Sequence, residues 1–127
     1  ELTGGQGADV VYDPAGGDYS EPALRATNWE GRFLVVGFAA GPIPKVPLNL
    51  ALLKGCQIVG VFWGAFTGRE PARHQENLNE LMAWFKAGKL RPHVSRTYRF
   101  DEVVQALNDM AGRKVKGKIV LVPSRQG

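Results

Sequence analysis

Two short apolar runs near the start of the chain end in glycines, which let a backbone approach a ligand closely. Residues 10–12 (Val-Val-Tyr) precede Gly16 and Gly17, and residues 33–36 (Phe-Leu-Val-Val) precede Gly37. Runs with little alternation are typical of strands covered on both faces in a parallel sheet. In an open parallel sheet, ligands bind at the edge where the strands end and the chain turns into a helix. This stretch therefore predicts half of a nucleotide-binding sheet.

The other residue types that do chemistry give weaker signals. Cys56, His74 and His93 are the cysteine and histidines of the chain, and their spacing fits no metal site. We expect the histidines on the surface or in loops, and Cys56 as a small apolar residue. The basic run of residues 113–118 is by itself typical of a solvated loop. No side chain is identified as catalytic, and no metal is predicted.

Composition limits the class of protein. The 127 residues are 44% hydrophobic and 22% charged, enough for one domain with one core. A formal net charge of +4 is weak evidence for nucleic acid, so no such partner is predicted. No apolar run approaches the roughly 20 residues of a membrane helix, and no signal peptide is visible. The single cysteine excludes an internal disulfide, and we expect a cytoplasmic protein. Because the chain starts at Glu1 without a methionine, we also expect a fragment of a longer protein.

Helices are expected between the strands. Ser20 is a typical N-cap for a short helix after the first glycine turn. Residues 48–54 predict a second helix, ended by Gly55, after a proline-rich connection that excludes regular structure. Residues 56–63 predict a third strand, rich in Ile, Val and Phe.

The second half of the chain changes to an amphipathic pattern. Pro71 begins a helix that ends at Gly88. Residues 93–100 and 119–123 predict strands, and Asp101 is the expected N-cap of a helix between them. The apolar face of the first of these helices consists of Leu78, Leu81, Met82 and Phe85, and the expected buried face of the second consists of Val103, Val104, Leu107 and Met110.

Five motifs in order resemble the carboxyl-terminal portion of medium-chain dehydrogenases/reductases, in their zinc-independent quinone-oxidoreductase branch. They are residues 7–17, 31–38, 52–64, 98–107 and 117–121, and they cover essentially the whole chain. In that family a Rossmann domain of strand order 3-2-1-4-5-6 is inserted into a separate catalytic domain. The resemblance implies an α/β fold in which residues 1–67 form the second half of a Rossmann-type parallel sheet, three strands with helices. Residues 68–127 would be a helix and strand tail that returns to the catalytic domain.

The resemblance also implies which atoms hold a nicotinamide cofactor. The carbonyls of Val36 and Val61 and the amide of Trp63 would hold the nicotinamide carboxamide through the main chain. The first glycine turn would lie along the nicotinamide-side ribose, and the second would continue the wall beside it. Arg113 would reach a cofactor phosphate, unless its loop is only a solvated turn. The implied cofactor-binding residues are Pro14, Ala15, Gly16, Val36, Gly37, Phe38, Val61, Phe62, Trp63 and Arg113.

The implied reaction is hydride transfer from the reduced form of NADP, with NAD as the alternative cofactor, to a small-molecule quinone or conjugated carbonyl. Phe62, Trp63 and Phe66 either line a substrate pocket or pack a core. Residues 57–62 carry no proline or charge, and in the family this edge strand pairs with its two-fold mate. A homodimer through this strand is therefore predicted.

Two other interpretations stay open. The family's glycine fingerprint, its ribose-reading group and its catalytic domain have no counterpart in these 127 residues, so we expect the fragment alone to be inactive. The chain would then be a non-catalytic half-domain that acts only as an oligomerisation or structural module. A methyltransferase sheet is the weaker alternative, because that fold also needs its first glycine loop. A glycine-rich loop after an apolar strand upstream of Glu1 would favour the oxidoreductase.

Overall fold

The computed structural model describes residues 2–123 of the chain. These residues form two compact units, which divide between Pro71 and Ala72. The first unit contains a three-stranded sheet and the second a two-stranded sheet, and the strands of both are parallel. The predicted α/β fold is therefore confirmed. The functional boundary expected after residue 67 stays a prediction.

The first unit alternates strands and helices. Its strands are β1 (Ala8–Asp13), β2 (Thr27–Val35) and β3 (Gln57–Gly60), and its helices are α1 (Ser20–Arg25), α2 (Asn49–Lys54) and α3 (Trp63–Arg69). β2 lies in the middle of the sheet and pairs in parallel with β1 and β3. Parallel neighbours need a crossover connection, and the segments that contain α1 and α2 provide it.

The core of the first unit lies on one face of this sheet. Leu24 of α1, Phe33 of β2 and Leu50 of α2 are buried in one cluster, with Val11 and Cys56 packed around it. Full burial of such side chains contributes about 1.5–3 kcal/mol each. This cluster therefore fixes both helices against the middle strand.

The other face of the sheet is open. Val10 and Tyr12 alternate with the core-facing Val11 along β1, and both are exposed. The residues that the structure describes bury one face only, so the expectation of a sheet covered on both faces is not met.

Some details of the first unit differ from the sequence prediction. Ser20 is not an N-cap: α1 begins at this residue, and its hydroxyl donates to Asp13 instead. β3 ends at Gly60 rather than at residue 63, because its partner β2 ends at Val35 opposite Gly60. The next residues leave the sheet, and Trp63 begins α3, a helix that the sequence pattern did not predict.

The later part of the chain forms α4 (Pro71–Lys86), β4 (Val94–Arg99), α5 (Val103–Ala111) and β5 (Lys118–Val122). β4 and β5 pair in parallel, and Tyr98 and Ala106 are buried. The Tyr98 hydroxyl donates to Asp109 Oδ2 at 2.7 Å, and the Arg96 guanidinium lies 4.6 Å from the ring centroid. The hydrogen bond to Asp109, together with burial, raises the pKa of Tyr98. The phenol therefore keeps its proton and its hydrogen bond at neutral pH.

The helices of this part lie where the sequence predicts, but their burial differs. α4 begins at Pro71, and Gly88 follows its end with a φ of 70°. Asp101 is not the N-cap of α5, because its carboxylate pairs with the Arg99 guanidinium and Glu102 is the N-cap. The apolar residues found exposed are Leu78, Leu81, Met82 and Phe85 on α4 and Val104, Leu107 and Met110 on α5, whereas Val103 is half-buried. Helical periodicity predicts which residues share a face, but not whether anything covers that face.

Candidate functional site

The carboxyl ends of β1, β2 and β3 meet at one edge of the sheet, because the strands run parallel. Main-chain hydrogen bonds join the turns that follow β1 and β2. The N–H groups of Val36 and Gly37 donate to the carbonyl of Asp13 at 3.0 and 3.3 Å, and the N–H of Ala39 donates to that of Pro14 at 3.1 Å. We refer to residues 13–17, 36–40 and 60–66 as the strand-end surface.

Asp13 organises the first turn of this surface. Its Oδ1 accepts the N–H groups of Ala15 and Gly16 at 3.0 and 2.9 Å, and its Oδ2 accepts the Ser20 hydroxyl at 2.7 Å. The residue is 8% exposed. Burial by itself would raise the pKa of the carboxyl, but the hydrogen bonds from Gly16, Ser20 and Ala15 outweigh it and lower the pKa. Asp13 is therefore an ionised acceptor at neutral pH.

The two glycine turns touch at a position where only glycine fits. Gly16 has φ 68° and ψ −152°, a combination that is strained for residues with a side chain. A Cβ at Gly16 would lie 2.7 Å from Cδ1 of Phe38, and one at Gly37 would lie 3.2 Å from the carbonyl oxygen of Pro14. The glycines therefore allow the backbone of one turn to lie against the other.

The end of β3 supplies the third part of the strand-end surface. The N–H of Val61 donates to the carbonyl of Val35 at 2.8 Å, which keeps this backbone beside β2. Phe62 and Trp63 then lead into α3 with 80% and 63% of their surface exposed. An open apolar depression of about 310 Å³, at the lower end of the range for small-molecule sites, is lined by Gly60, Val61, Phe62, Trp63 and Phe66.

Two carbonyl groups at this surface can accept a hydrogen bond from outside the chain. Within residues 2–123, no hydrogen bond reaches the carbonyl oxygen of Val36 or that of Val61. Val36 is half-buried and Val61 is exposed, so water or a ligand can reach both residues.

All of the predicted cofactor-binding residues except Arg113 lie on the strand-end surface. Arg113 lies in the second unit, in the loop after α5, with a left-handed φ of 54°. Its N–H donates to the carbonyl of Met110 at 3.0 Å, and its guanidinium pairs with none of the described residues. The role of all these residues in binding a cofactor stays a prediction.

The sequence prediction missed Asp13, which belongs to this surface, and Ser20 of α1, whose hydroxyl donates to Asp13. The signal was an Asp directly before Pro14 and a glycine pair, because Asp side chains commonly accept a hydrogen bond from the backbone two residues further on. The sequence pattern predicted Ser20 as the N-cap of its helix, but its hydroxyl donates to Asp13, which organises the turn.

The part of the chain that the structure describes contains no group of three or more His, Cys, Asp or Glu side chains that could hold a metal ion. Cys56 is a half-buried free thiol, His74 is half-buried on α4, and His93 lies in an exposed loop. None of the helices within residues 2–123 combines the length and the apolar character needed to cross a membrane.

Comparison with protein families gives one match over residues 1–121, to the zinc-binding dehydrogenase family. Among curated proteins, the quinone oxidoreductase-like protein 2 homolog of Nematostella vectensis is 38% identical over 122 residues, which is 95% of this chain and 33% of that protein. The quinone oxidoreductase-like protein 2 of Bos taurus is 36% identical over 121 residues, or 95% of this chain and 35% of that protein.

Solved structures share the fold. A mycobacterial protein complexed with NADPH superposes with a TM-score of 0.80 and 25% identity, over 96% of this chain and 37% of that protein. A probable oxidoreductase from Mycobacterium abscessus gives a TM-score of 0.75 and 36% identity, over 96% and 35% of the two chains. The chain thus spans about a third of the length of the relatives that it matches.

Proposed function

The chain belongs to the zinc-binding dehydrogenase family, in its quinone-oxidoreductase-like branch, and we propose that it forms the nicotinamide-side half of a cofactor-binding domain. The longer protein would transfer hydride from NADPH to a quinone or conjugated carbonyl, with NADH as the alternative donor. The length of the relatives supports a role as part of a longer polypeptide, since they are nearly three times as long.

The observation that carries this proposal is that two main-chain carbonyls at the strand-end surface accept no hydrogen bond from the described residues. A nicotinamide carboxamide carries N–H donors and one carbonyl acceptor, like the side chain of Asn. The open carbonyls of Val36 and Val61 would accept from its nitrogen, and the amide of Trp63 would donate to its oxygen. The close contact of Gly16 with Phe38 fits a flat wall beside a ring. The residues present therefore fit the group.

The work of these residues would be positional. The cofactor supplies the hydride, and the chain fixes the face and the distance at which its ring meets the acceptor. The first glycine turn would lie along the ribose, and the turn after β2 would continue the wall. The apolar depression around Phe62 and Trp63 would then receive an apolar substrate and exclude water. Arg113 would contact a cofactor phosphate as a charge-assisted donor.

A second candidate is a non-catalytic oligomerisation module. The open edge of β3 and the exposed apolar residues of α4 favour it, because both are surfaces that a partner could cover. The two candidates differ in cofactor binding, which only the first requires.

Calorimetric titration with NADPH and NADH tests the proposal on two samples, the complete protein and the isolated 127-residue chain. We expect micromolar binding by the complete protein and millimolar binding or none by the isolated chain, because phosphate recognition would lie in the other half of the domain. NADPH-dependent reduction of benzoquinone by the complete protein is the matching activity assay. No binding by the complete protein would favour the module, and micromolar binding by the isolated chain would contradict the assignment of phosphate recognition to the missing half.

A further inference from the structure

Asp13 connects both glycine turns of the strand-end surface with helix α1. Its carboxylate holds the turn after β1 through Ala15 and Gly16, and the same carboxylate holds α1 through Ser20. Its main-chain carbonyl accepts the N–H groups of Val36 and Gly37 in the turn after β2. One residue therefore sets the position of both turns relative to the helix.

The carboxylate is an unusual choice for a position that is 8% exposed. A buried charge is costly unless it is paired or hydrogen-bonded, and no Lys or Arg among the described residues pairs with Asp13. Within residues 2–123, its carboxylate accepts hydrogen bonds from two backbone N–H groups and one hydroxyl, and that hydroxyl belongs to Ser20, which is 1% exposed. An apolar residue would fill the space without this cost, so the carboxylate is explained by the geometry that it imposes.

That geometry is the one on which the proposed wall depends. Gly16 can adopt many backbone conformations, and the Asp13 hydrogen bond to its N–H selects the one observed. In this conformation the ring of Phe38 lies directly against Gly16. A turn released from Asp13 would shift both sides of the wall and weaken the contacts that the wall makes with the cofactor.

We propose that Asp13 and Ser20 are positioning residues for cofactor binding. Their hydrogen bonds hold the turn at residues 14–16 in the conformation that would contact the cofactor. The inference rests on the proposed function. Neither side chain needs to touch the cofactor, so their effect should appear in the affinity for the cofactor rather than in the chemical step.

The test compares Ser20→Ala and Asp13→Asn with the control Thr27→Val in the complete protein. Thr27 is also fully buried, and its hydroxyl donates to the carbonyl of Ala23 at 3.2 Å, but it begins β2 at the opposite end of the sheet. We expect Ser20→Ala to raise KM for NADPH about five- to tenfold, with kcat at saturating cofactor within about twofold. Thr27→Val should lower the melting temperature while its KM for NADPH stays within about twofold.

The double variant adds a second readout. If Ser20 acts through Asp13, Asp13→Asn with Ser20→Ala should raise KM by less than the product of the single effects. A KM unchanged in Ser20→Ala, despite a loss of melting temperature like that of Thr27→Val, would overturn the positioning role and leave the proposed function intact. If the wild type binds neither NADPH nor NADH, the proposed function falls and this inference falls with it. If Asp13→Asn does not fold, the comparison of KM for NADPH between Ser20→Ala and Thr27→Val still tests the positioning role.

Discussion

Single residues at the strand-end surface would act mostly through their main chain. Val36 and Val61 offer carbonyl oxygens, and the side chains attached to these groups can vary without changing the acceptor. Trp63 combines both possibilities, since it has an amide in the main chain and a large exposed indole at the rim of the apolar depression. Substitutions that separate the two roles are therefore informative.

We predict that Trp63→Phe leaves cofactor affinity within a few-fold and alters substrate preference, whereas Trp63→Pro weakens cofactor binding by about 1–3 kcal/mol. Proline removes the donor, and the structure makes this substitution mild for the fold because Trp63 is the first residue of α3. The preceding Phe62 is already non-helical, at φ −99° and ψ 80°, as a residue before proline should be. Titration of the complete protein with NADPH measures both variants. Equal losses of affinity would assign the contact to the indole instead.

At the scale of the elements, the contact between the two glycine turns gives a prediction with a matched control. Gly16 and Gly41 both have positive φ, of 68° and 101°, so alanine at either should cost about 1–3 kcal/mol of stability through backbone strain. A Cβ at Gly16 would also push Phe38, whereas nothing lies within 4 Å of one at Gly41. Gly16→Ala should therefore raise KM for the cofactor in the complete protein, and Gly41→Ala should lower only the unfolding midpoint. Equal KM values in the two variants would mean that the wall does not contact the cofactor.

The elements also show what could be predicted from local sequence. Each strand of the first unit contains a short apolar run, and those signals are local. They predict less well where a strand begins, because β2 starts at Thr27, six residues before its apolar run at Phe33. The end of β3 cannot be predicted from local sequence, because it is set by the point where its partner β2 ends, opposite Gly60. The role of Ser20 likewise depends on Asp13, seven residues earlier, which competes with the helix end for its hydroxyl.

Burial was the least predictable property. The faces of α4 and α5 have the spacing of buried faces, and yet Leu81, Met82 and Leu107 are exposed. A helical pattern shows that a face is suited to burial, but not which surface covers it. In the second unit, a two-stranded sheet is too small to cover two helices.

At the scale of the whole molecule, each of the two units leaves large apolar side chains exposed. In the first unit they include Tyr12, Trp29 and Phe62, and in the second they include Phe100 and Leu107. Such exposed apolar residues fit a chain that works inside a longer polypeptide or an oligomer, as proposed.

The open edge of β3 gives the last prediction, because the structure shows which of its main-chain groups face outward. Val61 donates to Val35 of β2, and main-chain groups alternate along a strand, so Val59 also faces β2 while Ile58 faces the open edge. We expect the 127-residue chain to be dimeric or larger through this strand. Ile58→Pro removes an outward donor and should lower the mass measured by light scattering, whereas Ile58→Val keeps the donor and should match the wild type. A monodisperse wild-type monomer would refute the exposed-edge argument. An unchanged oligomer in a folded Ile58→Pro variant would place the interface elsewhere, with the opposite edge at β1, where Val10 and Tyr12 are exposed, as the next strand to test.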